Sequence, residues 1–145
     1  MVDLFAMLFE LLGMYSSDLG QHLRGYNPEC SGFDATPTYN IAGFSMVFIP
    51  LFIGLIYYKI LDRVALNSSL HWFLFSVLSV VICFLISIGI TLNDLGTDNF
   101  CRELQIQSID CIMFGVTVSF YTFVLFGIYS LGLRFLSTNC RYTPF

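Results

Sequence analysis

Long apolar runs separated by short polar ones set the plan of this chain. The stretch from Leu70 to Leu92, LHWFLFSVLSVVICFLISIGITL, holds no Lys, Arg, Asp or Glu. At about 1.5 Å rise per residue, roughly 20 apolar residues cross the ~30 Å hydrocarbon core of a bilayer. Lipid offers no partner to backbone N–H and C=O groups, so 70–92 is predicted to be a helix that satisfies them internally. Two further runs read the same way. Residues 41–60 form the first, with Pro50 near its middle, where the missing N–H and the ring clash kink a helix. Tyr57 and Tyr58 are expected to close it as an interfacial belt. Residues 109–136 form the last; this run is longer than a crossing needs and is expected to tilt or project at one end.

Ahead of these spans, 2–17 reads as an amphipathic or interfacial helix. Asp3, Glu10 and Ser17 recur at seven-residue spacing and fall on one side of an otherwise apolar run. A helix of about 15 residues is short for a crossing, so it is expected in the interface or across the mouth of the bundle. The alternative is that its acidic stripe lines an aqueous path. The run opens on Asp3 rather than a basic region and has no small-residue cleavage site, so a signal peptide is not expected. Residues 18–40 are rich in Gly, Pro, Asn, Asp and Tyr and predict a structured loop, pinned at headgroup level by Tyr26, Phe33 and Tyr39. Residues 93–110 predict a second polar loop. The fold expected is a single all-α transmembrane domain over 1–145, with three transmembrane helices plus the N-terminal helix.

Each span carries a face of small residues. Gly43, Val47, Pro50 and Gly54 share one on the first, Ser76, Ser79, Cys83 and Ser87 one on the second, and Gly115, Ser119, Thr122 and Ser130 one on the third. Small side chains let helices approach closely, and hydroxyls bond back to their own helix, so such faces ordinarily pack. They also leave room for water. The candidate pore-lining residues are therefore Asp3, Glu10, Ser76, Ser79, Ser87, Ser119 and Thr122. Three helices do not enclose a water path alone, whereas cyclic symmetry turns one modest face into a closed ring; a homo-oligomer is expected.

Composition agrees with the pattern. Hydrophobic residues make up 57% of the chain and charged ones 11%, with mean hydropathy +0.78, which excludes a domain whose whole surface faces water. With 145 residues and three spans, too little chain remains for a second core. The net charge of −4 matters less than its placement. Lys59 and Arg63 in the first connection and Arg134 and Arg141 at the end of the third span share a side, while the other side has Arg24 and Arg102 among many acids. The positive-inside rule then puts the N-terminal segment outside and the C-terminus inside, in the cytoplasm, as expected of a multi-pass membrane protein. Of the five cysteines, Cys83 lies in a span as a small apolar residue. Cys30, Cys101 and Cys111 share the outer side and can supply one disulfide, leaving an odd thiol. The spans hold no nucleophile with a base, no paired Asp and no ligand set at helical spacing, and His22 and His71 sit at span edges outside any HExxH frame. No enzyme activity, metal or cofactor is expected.

The sequence HLRGYNPECSGFD, then TYNIAGF opening the first span, LIYYKIL closing it and HWFLF opening the second, resembles short three-span bacterial membrane proteins over about Leu19 to Trp72. Among these are the membrane channel effectors of Hailong antiphage defence systems. The resemblance implies an oligomeric ion channel, a tetramer, held shut by single-stranded DNA oligomers that a partner nucleotidyltransferase makes. Infection removes the oligomers, and the open channel depolarises the cell. A polyanion needs basic contacts, and those on the inner face are Lys59, Arg63, Arg134 and Arg141, repeated around a ring. Size and composition also fit a small membrane immunity or inhibitor protein that binds a pore-forming toxin or another membrane partner, or a small subunit of a larger transporter.

Overall fold

The computed structural model describes residues 2–33, 35–60 and 68–136; Arg63, Cys140 and Arg141 lie outside them. Among the described residues five α-helices follow in order: α1 (Val2–Glu10), α2 (Ser17–Leu23), α3 (Thr38–Leu55), α4 (Ser69–Gly96) and α5 (Ser108–Leu133). A π-helical turn, Ile56–Ile60, extends α3, and a 3-10 turn, Arg134–Leu136, extends α5. Three helical stretches, Thr38–Lys59, Ser69–Gly96 and Ser108–Leu133, are long and apolar enough to cross a membrane. Their exposed side chains are greasy, with Phe44, Phe48 and Phe52 on α3, Leu74, Leu78 and Leu85 on α4, and Phe120, Phe123 and Ile128 on α5. Their hydroxyls are withdrawn: Ser76, Ser79, Ser87, Thr91, Thr117, Thr122 and Ser130 are buried. That polarity suits helices whose outer solvent is lipid.

The N-terminal segment departs from the expected single helix over 2–17. Gly13 takes a left-handed backbone, φ +56, which glycine adopts without steric cost and which ends α1 early. Ser16 then starts a new helix as its N-cap, with extended backbone and a side chain that accepts the Leu19 N–H at 3.3 Å. Part of the expected loop is therefore α2, whose Leu19, His22 and Leu23 are buried. At the other polar connection α4 runs on through Asn93 and Asp94, and Thr97 caps it by donating its hydroxyl and its N–H to the Asn93 carbonyl, at 2.8 and 3.0 Å.

Two compact units divide the chain. In the first (1–45 and 84–118), Phe5, Phe9, Tyr15, Tyr39 and Phe114 build an aromatic core, with Phe114 edge-on to both Phe9 (5.6 Å) and Tyr15 (5.4 Å). Gly115 admits α4: a Cβ there would stand 2.7 Å from Ile88 Cγ1 and 3.1 Å from Phe84. A disulfide joins Cys30 to Cys101. Gly25, at φ +96, turns back so closely that a Cβ would meet the Ala35 carbonyl, whose N–H the Gly25 carbonyl accepts at 3.1 Å.

In the second unit (46–83 and 119–145), Tyr57 and Tyr58 are completely buried, packed with Trp72, Phe75 and Leu133. The expected interfacial belt is a core instead, because the π turn rotates both rings inward, where they meet edge-on at 4.8 Å. Trp72 donates its indole N–H to Ser130 Oγ at 2.9 Å, and Ser130 donates its own hydroxyl to the Phe126 carbonyl. Lys59, on the π turn, and Arg134, on the 3-10 turn, are carried by neighbouring elements.

Candidate functional site

Polar side chains of the first unit collect where α3 and α5 begin. Tyr39, in the first turn of α3, donates its hydroxyl to Glu10 Oε1 at 3.2 Å and lies 2.8 Å from the Tyr15 hydroxyl. Asp110, in the first turn of α5, accepts the Ser16 N–H on Oδ1 (3.2 Å) and the Gln107 N–H on Oδ2 (3.1 Å). The second bond is the carboxylate half of a capping box. Arg24, which caps the end of α2, completes the group by grasping Glu10 with both arms, Nε to Oε1 at 3.0 Å and Nη2 to Oε2 at 2.7 Å. Such a fork fixes direction as well as distance.

The Arg24 hydrogen bond holds the Glu10 carboxyl below its ordinary 4.5, against a smaller opposing push from partial burial. Glu10 in turn raises the Arg24 guanidinium. With side chains 41% and 37% exposed, the pair contributes under about 1 kcal/mol, and its main work is to tie the end of α1 to the end of α2. Beside it opens a cavity of about 360 Å³ lined by Glu10, Gly13, Tyr15, Ser17, Gln21 and Arg24.

A second pair links α2 to α4. His22 Nε2 lies 3.2 Å from Asp94 Oδ2, with both side chains largely buried, and His22 Nδ1 is buried with no partner. A cavity of about 160 Å³ adjoins them, lined in part by Tyr26, Thr38 and Asn99. The disulfide selects Cys30 and Cys101 from the candidate cysteines and leaves Cys111 a buried thiol. Glu103 comes within 4.8 Å of both sulfurs, but sulfurs joined to each other are not the thiolates that ligate metals.

The residues singled out from the sequence fall in three places. Asp3 is exposed on α1, whereas Glu10 is engaged by Arg24 and Tyr39. Ser76, Ser79, Ser87 and Thr122 are buried and Ser119 half-buried. Ser79 bonds back to the Ser76 carbonyl at 2.8 Å, yet the hydroxyls of Ser76 and Ser87 have no partner among the described residues. Of the basic candidates, Lys59 is exposed, and the Arg134 guanidinium stands 5.3 Å over the Phe135 ring; Arg63 and Arg141 lie outside the described residues. The Glu10–Arg24 and His22–Asp94 pairs carry no sequence signal, since their partners meet only through the fold. The one available clue was Ser16 followed by Leu19 and Leu23, a cap and an apolar i, i+4 pair.

By its helices the protein is a multi-pass α-helical membrane protein. Among known proteins, the chain matches no family model, no curated protein and no solved structure.

Proposed function

We propose that the protein is the subunit of an oligomeric ion channel in the bacterial cytoplasmic membrane, acting as the effector of an antiphage defence system of the Hailong kind. The observation that carries the channel reading lies on α4, where Ser76 and Ser87 bury hydroxyls that no group among the described residues satisfies. An orphan hydroxyl in a dry bundle costs about 1–3 kcal/mol, which contact with water would recover. A helix face that gains by wetting, and whose small side chains leave room, suits a conduction path that is shut when packed. The path is completed by further copies around a symmetry axis, with a tetramer favoured.

In this reading the N-terminal segment is outside and the C-terminus cytoplasmic, with Lys59, Arg63, Arg134 and Arg141 inside. The Cys30–Cys101 bond supports that orientation, because disulfides persist on the oxidising side. The inner basic residues receive the single-stranded DNA oligomer made by a partner nucleotidyltransferase, and the bound oligomer keeps the channel shut.

Purified protein tested in planar bilayers and by mass in detergent decides the matter. The expected result is an oligomer that conducts ions, falls silent when single-stranded DNA oligomers reach the inner face, and loses conductance but not assembly in Ser76→Leu and Ser87→Leu. A silent monomer overturns the channel and favours the immunity or inhibitor protein.

A further inference from the structure

The cavity between α1 and α2 has a polar wall, a position and an apolar border that together define a ligand. Its two charged side chains sit side by side, with Glu10 Oε2 and Arg24 Nη2 2.7 Å apart. The fork occupies Arg24 Nε and one N–H of Nη2, leaving the Nη1 donors for an anion. Glu10 accepts Arg24 and Tyr39 on Oε1 but Arg24 alone on Oε2, so Oε2 keeps a lone pair for a donor. One opening therefore presents a site for each sign. An anion alone would meet the Glu10 carboxylate, and a cation alone the guanidinium; a zwitterion with adjacent phosphate and ammonium meets both favourably.

Position identifies the source. Glu10 is bonded to the first turn of α3 through Tyr39, and Ser16, beside the cavity, to the first turn of α5 through Asp110. Both helices are apolar enough to cross the bilayer, so the cavity lies where the hydrocarbon ends and headgroups begin. Gly13 in its wall is flanked by Leu12 and Met14, which are exposed, as are Met7 and Leu11 on the same segment. A headgroup seated in the cavity has acyl chains to lay along these residues.

We infer that the cavity lined by Glu10, Ser17, Gln21 and Arg24 is a binding site for the headgroup of a phosphatidylethanolamine-type phospholipid, phosphate toward Arg24 and primary ammonium toward Glu10. The ammonium must donate a hydrogen bond, so phosphatidylcholine, whose quaternary nitrogen has no N–H, is a poor ligand. Phosphatidylglycerol has no cation for Glu10. The site is independent of ion conduction.

The test is native mass spectrometry of the full chain released from bilayers that hold equal amounts of phosphatidylethanolamine, phosphatidylcholine and phosphatidylglycerol. The wild type is expected to retain phosphatidylethanolamine over either competitor by about tenfold, the worth of one charge-assisted hydrogen bond. Ser17→Trp, which fills the cavity with an indole, is expected to abolish the preference. Gln21→Trp is a second plug should Ser17→Trp fail to fold. Equal retention of the three lipids by the wild type overturns the proposal, as does a preference that survives the folded plug. Soluble glycerophosphoethanolamine separates the two sources of this chemistry. Binding of it as tight as that of the whole lipid would make the ligand a free zwitterion and overturn the lipid assignment.

Discussion

At Gly43 α3 lies close against Phe5 of α1, and adding one methyl there tests how the N-terminal helix is held. A Cβ at Gly43 would lie 2.5 Å from Phe5 Cγ and Cδ1, where carbons in contact keep about 3.5–4.0 Å. Gly43→Ala thus drives the ring back by about 1 Å. Phe5 has little room to yield: it is buried, stacked on Phe9 at 6.4 Å and edge-on to Phe44 at 5.7 Å. Overpacking of this kind costs about 1–3 kcal/mol, and the better helix propensity of alanine returns at most about 1 kcal/mol. The net of roughly 1–2 kcal/mol is a 5–30-fold shift toward undocked α1. Ala6, fully buried beside Phe5, supplies the assay, because an Ala6→Cys thiol reacts with maleimide only when α1 lifts away. Gly43→Ala should speed that labelling by about 5–30-fold, and adding Phe5→Leu, which withdraws the edge of the ring, should slow it again. An unchanged rate in Gly43→Ala, or the same rise whether residue 5 is Phe or Leu, would refute the packing argument.

Two further outcomes follow from the polar side chains of the first unit and the topology proposed above. A membrane-impermeant maleimide on intact cells should label Cys30 and Cys101 only after reduction, leave Cys83 and Cys111 until the protein is denatured, and reach Cys140 only when the cytoplasmic side is opened. Labelling of Cys140 in intact cells would reverse the topology, and labelling of Cys30 without reductant would remove the disulfide. That bond closes 71 residues of separation and on chain entropy alone contributes at most about 4 kcal/mol, less because inserted helices already hold its ends near. Acid should loosen the Glu10–Arg24 pair. The Glu10 carboxyl is depressed below 4.5 in the fold, first by the Arg24 hydrogen bond, so its stabilisation is present above the unfolded value and is lost as pH falls through the lower folded one. Thermal melts below about pH 4.5 should show wild type losing under about 1 kcal/mol relative to Arg24→Gln. Parallel loss in both proteins would exclude the pair as the titrating group.

The spans were legible because lipid forces one solution on a long uncharged run, and 70–92 lies inside α4 with only its polar ends extended. Those ends were missed for a physical reason: Asn93 and Asp94 look like loop residues, but Asp94 is drawn into the helix opposite His22, a partner far away in the chain. Gly13 and Ser16 are the local signals that divide the N-terminal segment, and the heptad spacing of Asp3, Glu10 and Ser17 masked them. The burial of Tyr57 and Tyr58 is not legible in the sequence because amphipathic rings at a span end ordinarily seek the interface, and a π turn has no marker in composition. The cysteines narrowed the disulfide to three residues, and only the fold separates Cys101 from Cys111, ten positions on in α5.

Glu10, a candidate for the pore wall, is held in the fold by Arg24 and Tyr39. An acidic ring that draws cations needs a carboxylate whose field is unbalanced. In this fold the Glu10 field is balanced by a guanidinium 2.7 Å away, and one of its oxygens is also taken by Tyr39. Its charge therefore acts locally, holding α1 against α2 and shaping one wall of the cavity. Within the N-terminal segment that leaves Asp3, exposed on α1, to supply a ring if copies assemble around an axis. If the buried hydroxyls of α4 bear on conduction and Glu10 on lipid, as proposed above, substitution of one set should leave the other property intact.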